Sequence, residues 1–349
     1  MIGIIGAGLS GLLLAYRLQE AEIAYKVLEA RNRLGGRIHT LIANETPLEM
    51  GATWFAPKHE YLWKLLQELD LEPYQQRMQN TFLYQQQLHA AVQKVDLPPQ
   101  EPSYRVAGGT SQIIQSLANR INEENIFLEQ VVKGIELTDQ KVKVATSKED
   151  FEFEKLVWAA PPKLFAEQIQ ITPDLPQDLQ EVMRQTHTWM EDSIKLAITY
   201  DVPFWQEQGL PSTLFSNAGP IIEFYDHSDK ENQHFALCGF VHPHFNQIDA
   251  NTRKEAIKQQ LFQVFGEAGL NFTSYYETLW QQEDFTGNKK PIGLVPHQNN
   301  GHAIYQKPAF NKLYFANTET SPHYGGYMEG AVYMAESLAK RFIKEFEGL

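Results

Sequence analysis

Cysteine is almost absent from the sequence: Cys238 is the only one among 349 residues. This excludes a disulfide framework and a cysteine-based metal site, since each needs more than one thiol. The surrounding segment "HFALCGFVH" predicts that Cys238 is a buried strand residue. The histidines do not show the spacing of metal ligands on any predicted helix, so we expect no metal site.

Long apolar runs and an excess of basic residues are also lacking. No stretch approaches the roughly 20 apolar residues that span a bilayer, and the N-terminus lacks the basic segment and cleavage site of a secretory signal. Lys and Arg number 30 against 43 Asp and Glu, for a formal net charge of −13. This charge argues against nucleic acid as a partner. We expect a cytoplasmic protein without a membrane span that acts on a small molecule.

The order of predicted elements indicates an α/β fold with two domains. The chain begins as strand, helix and strand, is rich in strands in the middle, and ends as strand and helix. This order predicts a Rossmann-like FAD/NAD(P)-binding domain interrupted by an α+β substrate-binding domain with a mixed sheet. We assign residues 1–57, 103–165 and 292–349 to the first domain, and residues 58–102 and 166–291 to the second.

Hydrophobic periodicity predicts the elements between the two ends of the chain. Helices are expected over 58–70, 108–124 and 251–268. A β-meander is expected over 126–161, and further strands over 193–205, 213–225 and 235–241.

The segment "GAGLSG" places Gly6, Gly8 and Gly11 in a G-x-G-x-x-G pattern between the first strand and the first helix. Such glycines allow a tight turn and a close approach of the backbone to a pyrophosphate, which the helix N-terminus also attracts. Glu29 ends the second strand, where an acidic side chain bonds ribose hydroxyls. The pattern therefore predicts FAD or NAD in preference to NADP. The alternative is a glycine-rich turn that only packs.

Two segments after Glu29, "ARNRLGGRIHT" and "LEMGATWF", resemble the flavin-containing amine oxidase family. The resemblance implies that the dinucleotide is FAD. It also implies that the first segment lies near the diphosphate and ribityl chain, and that the second lines the flavin. The cofactor-binding residues implied in this way are Ala30, Arg31, Gly35, Gly36, Arg37, Gly51, Ala52, Thr53 and Trp54.

Near the C-terminus, "NTETSPHYGGYMEGAV" is similar to a second signature of the same family, although Asn317 replaces the usual glycine. The resemblance implies that Glu319 bonds the ribityl hydroxyls and that backbone N–H groups near Met328 face the flavin pyrimidine ring. It implies that Tyr327 and Tyr324 lie near the reactive face of the flavin, with Tyr327 as an aromatic wall of the substrate site. The alternative is that both tyrosines are packed core residues.

Two interior strands carry further matches. "SIKLAITYDVPFW" resembles the family strand with an active-site lysine, which implies that Lys195 holds a water molecule near the flavin. The alternating pattern leaves open that Lys195 instead faces outward on an ordinary strand. "FLEQVVKGIEL" resembles the family segment in which a valine, here Val132, contacts the adenine through its backbone.

The chain departs from the family pattern in two places. Residues 56–104 form a much shorter connection than the helical insert of full-length members, so the substrate cavity is shallower or is covered by a partner subunit. The segment "DFTGNKKPIGLVPH" lacks the cysteine to which some members link FAD, so the expected FAD is non-covalent. It has Lys289, Lys290 and Pro291 where the family often has a second aromatic residue.

The resemblance implies an FAD-dependent amine oxidase that transfers a hydride equivalent from an amine C–H bond to flavin. Oxygen would then reoxidise the flavin and yield hydrogen peroxide. Two alternatives stay open. One is a renalase-like or desaturase-like flavin oxidase with a non-amine donor, which the shortened connection favours. The other is a flavin-binding protein without catalytic activity.

Overall fold

The computed structural model describes residues 1–87, 90–287 and 293–348. Eight α-helices lie in this part of the chain: α1 (Leu9–Glu20), α2 (Glu60–Glu68), α3 (Ser111–Ala118), α4 (Pro162–Gln168), α5 (Gln177–Arg184), α6 (Phe204–Glu207), α7 (Ala250–Phe265) and α8 (Met328–Phe346).

The β-strands are short, and the described part of the chain contains 20 of them. They are β1 (Ile2–Ile5), β2 (Tyr25–Leu28), β3 (Thr40–Ala43), β4 (Thr46–Glu49), β5 (Pro73–Gln75), β6 (Thr81–Gln85), β7 (Gln93–Asp96), β8 (Tyr104–Val106), β9 (Ile126–Phe127), β10 (Val132–Leu137), β11 (Val142–Thr146), β12 (Asp150–Phe153), β13 (Lys155–Trp158), β14 (Gln170–Thr172), β15 (Ile194–Tyr200), β16 (Leu214–Ser216), β17 (Ile221–Asp226), β18 (Phe235–Val241), β19 (Phe272–Leu279) and β20 (Leu313–Phe315).

A five-stranded parallel sheet joins both ends of the chain, in the order β20-β13-β1-β2-β9. All four residues of β1 are buried, because helices α1, α3 and α8 cover one face of the sheet and β10–β12 with α4 and α5 cover the other. Parallel sheets need cover on both faces, which explains the unbroken apolar sequence "IGII". The predicted α/β fold with a Rossmann-like sheet is confirmed.

A seven-stranded mixed sheet forms the second large layer, in the order β19-β15-β18-β17-β16-β6-β7. Its neighbouring strands are antiparallel, except that β16 and β6 run parallel. All seven residues of β15, which lies between β19 and β18, are buried, with α7 and its neighbours on one face and the β3–β4 hairpin region on the other.

Several predicted elements are corrected by the structure. The meander expected over 126–161 is limited to β10–β12, because β9 and β13 join the parallel sheet instead. The strand expected over 213–225 is two strands, β16 and β17, which turn at "NAGP". The strand expected over 193–205 ends at Tyr200, because Pro203 precedes a new helix, α6. Helix α3 ends at Ala118 rather than at 124. Cys238 is a buried strand residue, as predicted.

Among the helices described, none combines the length and apolar character that crossing a membrane requires.

Candidate active site

The turn between β1 and α1 lies at the carboxyl end of the parallel sheet, which is the edge where such sheets bind ligands. Gly6 has a φ of +107°, a left-handed conformation that favours glycine. A Cβ atom on Gly11 would lie 2.0 Å from the carbonyl oxygen of Gly6, so only glycine lets α1 pack this closely against the turn. The first N–H groups of α1 have no partner within the helix and are available to an anion.

Glu29 follows β2 at the same edge of the sheet and is buried. Its two carboxylate oxygens accept hydrogen bonds from the backbone N–H groups of Ala7, at 2.8 Å, and Arg31, at 2.9 Å. Each oxygen keeps a second lone pair for a further donor. The carboxylate is therefore held in a fixed orientation at the edge of the cleft, where it can accept bonds from hydroxyl groups.

A second turn, at residues 35–37, packs against the first. Gly35 donates its N–H to the carbonyl oxygen of Ala7 at 2.9 Å. Gly36 has a φ of +56°, and a Cβ atom there would lie 3.6 Å from the Cα of Gly8. A Cβ atom on Gly8 would meet only the Gly35 carbonyl oxygen, at 3.8 Å. Gly8 therefore faces open space in the cleft, which a larger side chain would fill.

Arg37 connects this second turn to the C-terminal segment. Its guanidinium donates to both carboxylate oxygens of Glu319, and one of these bonds measures 2.9 Å. The same group donates to the backbone carbonyl of Trp189 at 3.2 Å. Glu319 is 0% exposed, so Arg37, and not Glu319, borders the cleft. The prediction that Glu319 bonds ribityl hydroxyls stays a prediction.

The glycines and glutamates of the C-terminal signature have separate structural tasks. Helix α8 begins at Met328, after Tyr327. A Cβ atom on Gly330 would lie 2.6 Å from the carbonyl oxygen of Tyr324, so glycine permits the tight loop before the helix. Glu329 accepts hydrogen bonds from the N–H groups of Tyr61, at 3.0 Å, and Leu62, at 2.8 Å, and so caps the start of α2. The N-terminus of α8 is left free to face the cleft.

The cleft at the edge of the parallel sheet, which we call the first cleft, brings together most of the predicted cofactor residues. It is lined by Gly6, Gly8, Glu29, Ala30, Arg31, Gly35, Gly36, Arg37, Ala52, Val132, Tyr327 and Met328. The predicted site residues that do not line it are Gly11, Gly51, Thr53, Trp54, Lys195, Glu319 and Tyr324. Tyr324 packs against His59 and Tyr327, 40% exposed, and lines neither this cleft nor the one described next.

A second cleft lies between the "GATW" segment and the seven-stranded sheet. Gly51, Ala52, Thr53 and Trp54 line it together with Lys195. Lys195 is 0% exposed, so the interpretation of an outward-facing lysine is wrong. Its ammonium donates to the Thr53 hydroxyl at 3.0 Å.

The ammonium of Lys195 also lies 4.3 Å from the ring centroids of both Trp54 and Phe240. Cation–π contacts of this kind stabilise a charged ammonium. Burial has the opposite effect and lowers the pKa of Lys195 from its ordinary value. The nearby Glu49 and Glu223 carboxylates oppose this shift only in part.

Carboxylates are also present in the second cleft. Glu223 lines it and accepts a hydrogen bond from the Tyr225 hydroxyl at 2.8 Å. Burial and the adjacent Glu223 charge raise the pKa of Tyr225, which therefore stays a neutral donor. Glu101 also lines the cleft, but it is exposed and pairs with Lys58 at 3.2 Å. The second cleft is thus lined by two carboxylates and by aromatic rings, with the ammonium of Lys195 among them.

The two clefts meet. Residues that line both of them are Ala52, Trp189, Met190, Gly326, Tyr327 and Met328. A molecule in the second cleft therefore approaches a group in the first cleft at the N-terminus of α8.

Comparison with known proteins identifies the family of the chain. The profile of the family described as flavin containing amine oxidoreductase matches residues 9–103 and 93–343, which is most of the chain. The chain belongs to this family.

The share of the relative's sequence that the chain matches differs from one relative of this flavin amine oxidoreductase to another. It is 22% identical to the Dictyostelium discoideum protein named "Probable flavin-containing monoamine oxidase A" over 436 positions that cover 94% of each chain. That alignment is longer than the 349-residue chain, so the relative has segments without a counterpart here. Human amine oxidase [flavin-containing] B is 25% identical over 246 residues, which are 68% of this chain and 47% of the human one. The chain thus matches about half of the human protein.

A solved structure of putrescine oxidase bound to putrescine shares the fold, with a TM-score of 0.85 over 98% of both chains and 20% identity.

The family's cofactor is a flavin, and the first cleft of this flavin amine oxidoreductase fits FAD. Gly8 leaves open space beside the N-terminus of α1, where a pyrophosphate is attracted. Glu29 presents a fixed carboxylate to ribose hydroxyls. The N-terminus of α8 provides unpaired N–H groups at the junction with the second cleft. The single cysteine, Cys238, is buried and does not line the first cleft.

Trp189 and Glu223 are among the cleft residues that sequence reasoning missed. Trp189 lies in the irregular segment "HTWMEDS", where no periodicity marks it. Glu223 lies on β17, which has an ordinary strand pattern. The alternation of side chains along this strand brings Glu223 and Tyr225 to the same face, and only this feature of the sequence could have indicated Glu223. The expected departures at Lys289, Lys290 and Pro291 lie outside the described residues.

Proposed function

We propose that this protein is an FAD-dependent amine oxidase. The observation that carries the proposal is the meeting of a dinucleotide cleft with an aromatic, acid-lined cleft that contains a fully buried lysine. In the overall reaction, an amine loses a hydride from its α-carbon and a proton from nitrogen, O2 takes up both as H2O2, and water hydrolyses the imine. FAD, when bound, accepts the hydride equivalent and passes the electrons to O2.

The residues of the chain have separate tasks in this proposal. Gly6, Gly8 and Glu29 hold the dinucleotide at the edge of the parallel sheet. Tyr327 forms a wall at the junction of the clefts and directs the α-carbon of the amine toward the first cleft. Lys195 lies deeper in the second cleft, where its ammonium positions a water molecule by hydrogen bonding. An amine that arrives as a cation releases its extra proton to solvent, and the neutral amine then needs no further acid or base from the chain.

The two sheets correspond to the two tasks. We propose that residues 1–57, 103–165 and 292–349 form the FAD-binding domain and that residues 58–102 and 166–291 form the substrate-binding domain. The placement of the first cleft at the parallel sheet, and of Lys195 and Glu223 on the seven-stranded sheet, supports this division.

The charge of the second cleft favours an amine that arrives as a cation. Glu223 is partly buried, and its carboxylate is oriented by Tyr225. An oriented carboxylate in a partly desolvated cleft attracts an ammonium more strongly than an exposed one does. Lys195 carries the opposing charge in this cleft, and burial lowers its pKa from the ordinary value.

Replacing Glu223 with glutamine tests this electrostatic contribution. E223Q keeps the shape of the side chain and removes its charge, so we expect the KM for cationic amines to rise by about tenfold with a much smaller change in kcat. The matched control is E101Q, since Glu101 lines the same cleft but is exposed and paired with Lys58. We expect E101Q to change KM by less than about twofold. Equal effects of the two variants would contradict a specific role for Glu223.

The proposed activity is tested by mixing the aerobic holoprotein with primary amines, polyamines and amino acids and measuring hydrogen peroxide. We expect peroxide and the corresponding carbonyl product in equal amounts with at least one of these amines. Substrate oxidation without peroxide would show that another acceptor replaces O2.

A further inference from the structure

Two aromatic rings lie close together and nearly parallel at the junction of the clefts. The rings of Trp189 and Tyr327 are inclined by only 26°, and their centroids lie 6.2 Å apart. Both residues line both clefts. They are 37% and 41% exposed, unusually high for large aromatic side chains. These two rings therefore border the route from the second cleft to the first.

We propose that Trp189 is the second aromatic wall of the substrate site, opposite Tyr327, and that it determines which amines reach the first cleft. The proposal rests on the proposed amine oxidase function and adds a specificity-determining residue to it. Trp189 precedes β15 in the chain, whereas the sequence resemblance placed the second aromatic within residues 284–297, much later in the sequence.

The backbone of Trp189 is held from the cofactor side. Its carbonyl oxygen accepts a hydrogen bond from the Arg37 guanidinium at 3.2 Å, and Arg37 is itself paired with the fully buried Glu319. Next to it, Met190 has a φ of +74°, a conformation that a non-glycine residue adopts only when its surroundings enforce it. The indole is thus placed by the first cleft's own charged residues.

The flanks of the segment are held as well. On one side, His187 donates its N–H to the Gln298 carbonyl at 3.0 Å and accepts at its own carbonyl from the Asn300 amide, also at 3.0 Å. On the other side, Glu191 and Lys163 form a buried ion pair at 2.9 Å. Anchors on both sides limit how far the indole can move.

His297 supports the ring pair. Its imidazole lies 5.0 Å from the Trp189 ring at 17° and 5.5 Å from the Tyr327 ring at 14°. Its Nδ1 is 3.0 Å from the Gly325 carbonyl oxygen, which can only accept, so Nδ1 carries the proton. This bond fixes the imidazole plane, and stacking against it keeps the two larger rings nearly parallel.

The spacing of the Trp189 and Tyr327 rings implies that amines are selected by their width at the α-carbon. A group in contact with both faces needs roughly 7 Å between them, twice the usual carbon–carbon contact distance of about 3.5 Å. The ring centroids are 6.2 Å apart, so the space between the two faces is no wider than this. An unbranched chain can pass along the ring edges, whereas an amine that is wide at its α-carbon must separate the rings. We therefore expect the protein to favour primary amines that are unbranched at this carbon.

The test uses the holoprotein with two kinds of probe. Hexylamine and cyclohexylamine have six carbons each and differ in width at the α-carbon. Aniline has no hydrogen on its α-carbon, and its binding is measured from the change in flavin absorbance without turnover. In W189A we expect the ratio of kcat/KM for hexylamine to that for cyclohexylamine to fall by about tenfold. We expect aniline to bind about fivefold more weakly.

Two further variants make the result specific. W189F keeps an aromatic wall and should retain both properties within about twofold. F262A removes an aromatic side chain of similar exposure from α7, away from the clefts, and should match the wild type.

The outcomes distinguish a failure of the proposal for Trp189 from a failure of the proposed amine oxidase function. Amine oxidation by W189A with an unchanged ratio and unchanged aniline affinity would overturn the proposal for Trp189 and leave the proposed function intact. A wild-type protein that neither oxidises an amine nor binds aniline would overturn the proposed function, and the wall with it.

Discussion

Replacing Gly8 with valine is expected to yield a folded protein that no longer purifies with flavin. The backbone of Gly8 is extended, with φ −81° and ψ −174°, a conformation that any residue adopts. A Cβ atom there meets only the Gly35 carbonyl oxygen, at 3.8 Å, so the chain itself tolerates a side chain. The valine would instead occupy the space beside the N-terminus of α1. We expect FAD affinity to fall by about a hundredfold, measured as flavin absorbance per protein and by titration of the apoprotein.

Two other glycines provide the controls for this experiment. G134V places the same side chain on β10, where the Cβ atom meets the Gln170 carbonyl at 3.6 Å and the residue does not line the first cleft. It should keep its flavin. G11A, by contrast, would put a Cβ atom 2.0 Å from the Gly6 carbonyl and should lower the stability of the apoprotein itself. Full flavin content in G8V would contradict the placement of the dinucleotide.

Replacing Lys195 with methionine is expected to leave a folded, flavin-bound protein whose catalytic rate is about a hundredfold lower. Methionine fills a similar volume in the buried strand β15 but cannot donate the hydrogen bond that Lys195 makes to Thr53. Stopped-flow measurement of flavin reduction by the amine, and separately of reoxidation by O2, shows which step needs the ammonium. K133M, on the exposed side of β10, is the control. Unchanged rates for both steps would remove Lys195 from the mechanism.

The K195M variant also tests the lowered pKa of Lys195, through the pH dependence of the free energy of unfolding. Burial lowers the pKa of Lys195 in the folded state, whereas the unfolded chain keeps a value near about 10.4. Between these two pKa values the unfolded state binds a proton that the folded state does not. The free energy of unfolding of the wild type should therefore rise with pH across this window, relative to K195M. At lower pH, K195M should be as stable as the wild type or more stable, because it lacks a buried charge.

The ends of the chain could be interpreted from sequence because their function depends on local geometry. A strand, a glycine turn and a helix start are adjacent in the sequence, so the roles of Gly6 and Gly11 in the turn and the place of Glu29 follow from spacing alone. The structure confirms the parallel sheet that these elements imply.

Long-range packing explains the parts that sequence could not predict. Strands β9 and β13 have the same short apolar pattern as the meander between them, and only their partners β2, β1 and β20 show that they belong to the parallel sheet. Alternation also left the direction of Lys195 open, because a strand covered on both faces has no outward side. Trp189 could not be recognised, since its position depends on contacts with Arg37 and His297, more than 100 residues away.

The most direct test of the central claim is to mix the holoprotein without oxygen with a panel of donors and follow the flavin absorbance. The panel contains primary amines, polyamines, amino acids and dihydronicotinamides. An amine oxidase is predicted to lose its flavin colour with at least one amine, and to regain the colour with release of peroxide when air is admitted. Bleaching by dihydronicotinamides alone, or by no donor, would contradict the proposed function.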